Sequence, residues 1–335
     1  MKLNIKVLMS EDYRLEKISI SDEWDNFVSA SENGTVFSSS NYLLALNAKP
    51  VAYYCYKKET VKAGIVLIEE DKGDSIVFHD YVIYNGIIFN NPLKEQNNSQ
   101  INSERFRIST FIAEELPRIY DTLHLTLHPS IVDIRPFLWV NYGTELPRYR
   151  ISVRYTSYLN IENFHQAENL EDINIYNEAS YSRRQEIRYG IKKNVITREE
   201  FDSERFVQLY FKTMNRQEIV VPNKIIEEMK ILITSLFEAK LCRMFASYTS
   251  QEKLGSMAVY AIDNKRAYFL FGGNDPQMRN AHTGTMVLWD AFKILSKAGI
   301  KEIDLEGINS PQRGWFKMSF GGNTIPYFNL TLNRN

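Results

Sequence analysis

One order of secondary-structure signals occurs twice along this chain and restricts its fold more than any other feature. In the first half, helical spacing over Asp22 to Ala30 and Asn41 to Asn47 precedes strand-like Val51 to Lys57 and Val61 to Glu69. A third strand is expected at Ser75 to Phe78, and a Gly/Asn/Pro-rich stretch from Asn85 to Asn98 follows. Next comes a helix from Ser103 to about Arg118, with Ile108, Phe111, Ile112 and Ile119 on one stripe, and then a strand at Thr122 to Leu127. In the second half, helices are expected at Ser203 to Asn215 and Pro222 to Lys240. Strands follow at Leu241 to Tyr248, Lys253 to Ile262 and Arg266 to Phe271, then a helix from Thr285 to Ala298 stopped by Gly299, and a closing strand at Lys301 to Glu306.

Both lists read helix, helix, three strands, helix, strand. Three meandering antiparallel strands followed by a crossover helix to a parallel strand is a narrow topology. Its repetition predicts two copies of one α/β domain, about 1–150 and 151–335, with a last strand at 325–332 returning to the first domain. The length of 335 residues with 44% apolar positions suits a core for each copy.

Charge and cysteine usage remove several function classes. Lys+Arg number 40 against Asp+Glu 41, a balance of −1, which lacks the broad positive surface of an unspecific duplex binder. Cys55 and Cys242 are the only cysteines, too few and too far apart for a disulfide framework or a zinc site, and a reducing cytoplasm is expected. His124 and His128 lie on one strand face without a third ligand, so no metal is expected. Met1 to Ser10 holds only a short apolar run, and no run approaches the roughly 20 residues of a membrane span. No GxSxG, Walker or Rossmann loop is visible.

Three stretches carry a family resemblance. The first is Ala298-Gly299-Ile300-Lys301-Glu302-Ile303-Asp304-Leu305-Glu306-Gly307, followed by Gly314-Trp315-Phe316-Lys317-Met318-Ser319-Phe320-Gly321-Gly322. The second is Ser182-Arg183-Arg184-Gln185-Glu186-Ile187-Arg188, with Thr213-Met214-Asn215-Arg216 beyond it. The third is Asp133-Ile134-Arg135-Pro136-Phe137-Leu138-Trp139, read as strand-like, leading into Tyr149 to Leu159. In these the chain resembles the double-domain branch of the GNAT superfamily, which includes the FemABX peptidoglycan aminoacyltransferases and FemAB-like acetyltransferases linked to surface-polysaccharide assembly. The resemblance implies an α/β fold of two tandem GNAT-like (acyl-CoA N-acyltransferase) domains, with mixed sheets flanked by helices. It also implies N-acyl transfer to a primary amine of a sugar or peptide precursor, in the cell envelope or surface polysaccharide.

Within that reading, Lys317 stabilises a developing oxyanion or a donor phosphate, and Phe316 packs on the acyl group; both are placed just past the closing strand. Residue spacing alone would equally allow a surface lysine beside a core phenylalanine. Asp304 and Glu306 alternate with Ile303 and Leu305, so both carboxylates share one strand face. Either, Asp304 first, could take a proton from the attacking ammonium, or the pair could simply form a polar face or an ion pair with Arg313. His282, Thr283, Gly284 and Thr285 precede a helix whose amides and dipole suit a donor phosphate, with a threonine as N-cap and His282 as a base or a structural group. Arg184, Arg188 and Lys192 form a basic stripe that, with Arg216, would hold a phosphorylated acceptor, nucleotide- or lipid-linked, or remain a solvated face.

The donor expected is an acyl-CoA. The superfamily's pyrophosphate loop is represented only by Arg279-Asn280-Ala281-His282-Thr283-Gly284-Thr285, which has a single glycine. Charged tRNA, as donor for a peptidoglycan bridge, is the alternative, although the long heptad arm of some such enzymes has no counterpart here. A catalytically inactive GNAT-fold binding module is the non-enzymatic one.

Overall fold

The computed structural model describes residues 13–334, and the Met1 to Ser10 segment lies outside the described residues. It divides into two compact units, one running to Arg154 and including Pro326 onward, the other Tyr155–Ile325.

The first unit starts with β1 (Tyr13–Ile18), α1 (Asp22–Ala30) and α2 (Ser40–Leu44). Strands β2 (Lys49–Lys57), β3 (Thr60–Glu69) and β4 (Gly86–Phe89) follow, and β1 to β4 form an antiparallel sheet in chain order. The third strand is therefore Gly86–Phe89, inside the stretch expected to be loop, and not Ser75 to Phe78. Residues 75 and 76 make only isolated bridges, to Thr122 and Glu69. The run between the turn at Gly73 and that at His79 is too short to continue a ladder, whereas all four residues of Gly86–Phe89 are buried.

Helix α3 spans Asn98–Ile119, one turn earlier than its apolar stripe predicts. Its polar start is held by a capping box, with Asn97 Oδ1 accepting from the Gln100 amide at 3.0 Å and Gln100 Oε1 accepting from the Asn97 amide at 2.9 Å. After β5 (Thr122–Thr126), the strand-like run 133–139 is instead the short helix α4 (Arg135–Leu138). Pro136 sits in its first turn, and the Asp133 carboxylate takes Arg135 in an ion pair at 2.6 Å.

The second unit opens with the end of β6 (Arg150–Asn160), followed by α5 (Asn174–Glu178) and α6 (Tyr181–Lys192). Next come β7 (Ile196–Glu199), α7 (Ser203–Arg216), α8 (Asn223–Glu238), β8 (Cys242–Tyr248), β9 (Leu254–Ile262) and β10 (Ala267–Asn274). The unit closes with α9 (Thr283–Lys297), β11 (Glu302–Asp304), α10 (Pro311–Met318) and the start of β12 (Asn323–Asn333). Strands β7, β8, β9 and β10 pair antiparallel in chain order, β11 joins β10 in parallel, and β6 pairs with β11. At the other end of β12, residues 329–333 pair antiparallel with β5, which places the chain's end in the first unit.

The element order predicted twice is present twice, as α1-α2-β2-β3-β4-α3-β5 and α7-α8-β8-β9-β10-α9-β11. Each copy also carries a leading strand that periodicity misses, β1 or β7, antiparallel to the first strand after the two helices. Each unit has its own core. Helix α9 is the spine of the second, buried nearly all round through Met286, Val287, Leu288, Trp289, Ala291, Phe292 and Leu295.

Gly321, just past α10, takes φ +84°, and a Cβ there would come within 2.5 Å of the Glu178 carbonyl carbon. A side chain is opposed both by the left-handed backbone and by immovable main chain. Gly321→Ala is expected to destabilise the protein by roughly 2–3 kcal/mol, and a thermal melt should show a midpoint lowered by roughly 4–10 °C.

Candidate active site

The parallel pair β10 and β11 is joined over only two residue pairs, Ala267 with Ile303 and Tyr268 with Asp304. Beyond them β10 continues along β9 to Asn274 with a bulge between Phe269 and Phe271, while the other chain turns away at Glu306 (φ +48°) and Gly307 (φ +34°). Parallel strands that diverge at their carboxyl ends leave a crevice, the usual place for a ligand in an open α/β sheet.

Lys317 reaches into this divergence. It lies within α10, not in a loop directly after the strand, and the buried face of that helix is Gly314 and Lys317. At Gly314 the main chain lies so close to the Ile308 carbonyl that no side chain fits, which brings the helix back over the residues following β11. The Lys317 ammonium donates to the carbonyl oxygens of Leu305 at 2.6 Å and Glu306 at 3.2 Å, and stands 4.9 Å above the Phe269 ring. Burial pushes its pKa down to about 8, against the opposing pull of Glu306 and Asp304. At neutral pH it is still mostly a cation, held by two carbonyl dipoles and a ring face.

The two carboxyl groups join it by a different route from the one alternation predicts. Strand β11 ends at Asp304, so Glu306 is placed by the turn and not by a shared strand face. Asp304 is fully buried, and its Oδ1 accepts from the Thr156 hydroxyl and, at 2.8 Å, from the Glu306 amide. Glu306 is also buried, its Oε1 has no hydrogen-bond partner, and burial together with the Asp304 charge raises its pKa well above the ordinary carboxylate range. A lysine lowered and a glutamic acid raised beside a strand divergence are the kind of shifted pair that marks a candidate site.

The start of α9 forms a second cluster. Its N-cap is His282, in the left-handed region at φ +64° and without a side-chain capping bond, so neither threonine caps the helix as expected. The Thr283 hydroxyl instead meets Ser256 Oγ at 2.9 Å, and Thr285 donates to Glu186 and accepts from Arg183. With both hydroxyls engaged inside the protein, only main-chain amides of this turn remain for a donor anion. Gly284 packs closely on the end of β10, where a Cβ would lie 2.8 Å from Asn274 Oδ1 and displace that side chain. Burial and the Lys193 charge lower the His282 pKa, leaving a neutral ring at pH 7, tilted against Tyr189.

Phe316 and the α9 turn are connected by Arg183, a residue the sequence did not single out. Its guanidinium lies over both the Phe316 (4.5 Å) and Phe320 (4.6 Å) rings and donates to Ser319 Oγ at 2.9 Å, Glu186 at 2.7 Å and Thr285. A signal existed: Arg183 stands four residues before Ile187 and seven before Gly190, the buried face of α6. Thr156, which holds Asp304, carried no sequence signal. The basic stripe is not a uniform solvated face, because Arg184 is half-buried and Arg188 donates to Tyr176 Oη at 2.7 Å. Arg216 is exposed at the end of α7, one turn past Thr213, whose hydroxyl bonds the main chain of Asn274 in both directions. No group of three or more His, Cys, Asp and Glu side chains among the described residues is arranged to hold a metal ion.

Residues 177–316 match the family model of an acetyltransferase (GNAT) domain. In fold the chain is similar to the crystal structure of FemX, with 12% identity and a TM-score of 0.63 over 93% of this chain and 96% of that one. It is also similar to the C-terminal domain of a putative lysylphosphatidylglycerol synthetase from Agrobacterium fabrum, with 9% identity and a TM-score of 0.51 over 92% and 90% of the two chains. A tandem GNAT protein from the clavulanic acid biosynthesis pathway is similar at 8% identity, TM-score 0.50, over 96% and 98%. No curated protein sequence matches the chain significantly.

Burial holds the Glu306 proton to higher pH in the folded protein than in the unfolded chain, so this group lowers stability progressively as pH rises above about 4.5. Glu306→Gln, which keeps the shape of the neutral acid, should melt close to wild type at pH 4 and at least about 3 °C higher at pH 8. Scanning calorimetry at the two pH values checks both the sign and the growth of the difference.

Proposed function

We propose, on the premise that this chain is an acyltransferase with the double-domain GNAT, FemAB-like fold, that it acylates the primary amine of a sugar or peptide precursor of the cell envelope. The donor in this reading is a cytoplasmic acyl-CoA, and the transfer site belongs to the C-terminal unit. The observation that carries the reading is the buried Lys317 ammonium at the divergence of β10 and β11.

The amine attacks the thioester carbonyl directly, the C–N bond forms as the carbonyl oxygen gains charge, and the C–S bond then breaks to release the thiol. Lys317 supplies fixed positive charge to the oxyanion, in a site whose burial strengthens that interaction. Glu306, in its ionised form and with one oxygen left unpartnered, accepts the proton the ammonium sheds, while Asp304, held by Thr156 and the Glu306 amide, keeps the turn in place. The main-chain amides at the start of α9 hold the donor's phosphate, and Phe316, under Arg183, lines the acyl end. The exposed Arg216 and the α6 arginines Arg184 and Arg188 meet a phosphorylated acceptor, lipid- or nucleotide-linked.

The likeness to FemX favours a second reading, with an aminoacyl group delivered by charged tRNA. Transfer assays with acetyl-CoA, longer acyl-CoAs and charged tRNA separate the two. Free thiol released in step with amine acylation is expected, and turnover with charged tRNA alone would replace the donor. A protein stabilised by neither donor and turning over neither would be a binding module.

Lys317→Ala should lower kcat by about 10²–10³-fold with a far smaller change in donor KM. Because the cation is the acting form, wild-type kcat should decline as pH rises through about 8. Lys317→Arg, charged throughout that range, should move the decline upward in pH; a decline at the same pH in this variant would remove Lys317 from the chemistry.

A further inference from the structure

A site unrelated to the transfer chemistry lies in the first unit. Between residues 132 and 146 five large apolar side chains stand in solvent, including Trp139 at 54%, Tyr142 at 75% and Leu146 at 59% exposure, with Val132 and Leu138 beside them in sequence. The segment is built, not frayed. Its other apolar residues, Phe137, Val140 and Tyr149, are anchored in the unit's core. The turn beyond α4 is closed by Asn141 Nδ2 donating to the Pro147 carbonyl at 2.6 Å and by Arg148 donating to the Thr144 carbonyl at 2.6 Å. Helix α4 and the turn after it are thus apolar on two faces, only one of which the protein covers.

Arginine accompanies the exposed rings. The Arg135 guanidinium is 5.9 Å from the Trp139 ring and that of Arg148 is 6.0 Å from the Tyr142 ring, and Arg150 and Arg154 follow, both exposed. Residues 132–154 hold four arginines against two carboxylates, Asp133 and Glu145, in a chain whose balance is −1, and Asp133 is already paired with Arg135. Exposed Trp, Tyr and Leu set among arginines match the headgroup layer of an anionic bilayer, where amphipathic rings and guanidinium groups are both satisfied. No helix among the described residues is long and apolar enough to cross a membrane.

We propose that the 132–150 segment docks this protein on an anionic phospholipid surface. Leu138, Trp139, Tyr142 and Leu146 enter the headgroup layer and Arg148 and Arg150 meet lipid phosphates. The proposal is independent of the acyl donor and of any role for Lys317.

Co-sedimentation of the full chain with phosphatidylglycerol-containing vesicles and with pure phosphatidylcholine vesicles tests it. Binding at least about tenfold tighter to the anionic vesicles is expected, with a blue shift of tryptophan emission. Leu138→Ser/Trp139→Ser/Tyr142→Ser should weaken binding at least about tenfold, and Arg148→Glu/Arg150→Glu should abolish the preference for anionic lipid. If the triple variant melts early, Tyr142→Ser alone, at the most exposed of these positions, should still weaken binding severalfold. No sedimentation with either vesicle, or equal sedimentation of wild type and the folded variants, overturns the proposal. Concentration-dependent dimerisation in light scattering, lost in the triple variant and without vesicle binding, would assign the face to a second copy of the chain instead.

Discussion

The second unit is organised around one cation withdrawn from water. An ammonium group is among the costliest groups to bury, and it is tolerated only where dipoles and opposite charge surround it. Around Lys317 those partners are the carbonyls of Leu305 and Glu306, the face of Phe269, and the nearby carboxyls of Asp304 and Glu306. Several otherwise unconnected features follow from it. Strand β11 is short, the chain turns through two residues of positive φ, and α10 packs back so closely that Gly314 admits no side chain. Each brings the Lys317 stem or its two carbonyl acceptors to the same point.

A second cation, Arg183, does for the helices what Lys317 does for the strands. Lying over Phe316 and Phe320 and bonded to Ser319, Glu186 and Thr285, its guanidinium ties α6, α9 and the end of α10 together. A planar group with five donors can satisfy that many partners from several directions, which an ammonium cannot. Phe316 and Lys317, neighbours in sequence, thereby serve different clusters, one at the start of α9 and the other at the strand divergence.

Much of the fold was legible because its signals are local. The apolar stripes of α7, α8 and α9, the stop at Gly299 and the three-strand meander β8-β9-β10 all depend on residues within one element or its cap. The failures are equally physical. β4 was hidden because Gly86–Phe89 lies in a stretch whose glycine, asparagines and proline read as loop, and its burial depends on β3 and the surrounding core. β7 is short and largely exposed, and in β1 the alternation lasts only from Tyr13 to Glu16, so neither offers a run long enough to read as a strand. The polar first turn of α3 is stabilised by a cap and carries no apolar stripe at all.

By itself the sequence determined the repeated order of helices and strands, the resemblance that order and the Phe316-Lys317 segment support, and the residue types available for acyl transfer. Only the tertiary structure decided which of them lie together. It placed Asp304 at the end of β11 and Glu306 in a left-handed turn beside Lys317, committed the hydroxyls of Thr283 and Thr285 to interior partners, and brought in Arg183 and Thr156. The reason is range. Propensity, periodicity and capping act over a few residues, whereas desolvation and the pairing of buried charge act between groups more than a hundred positions apart in the chain, such as Thr156 and Asp304.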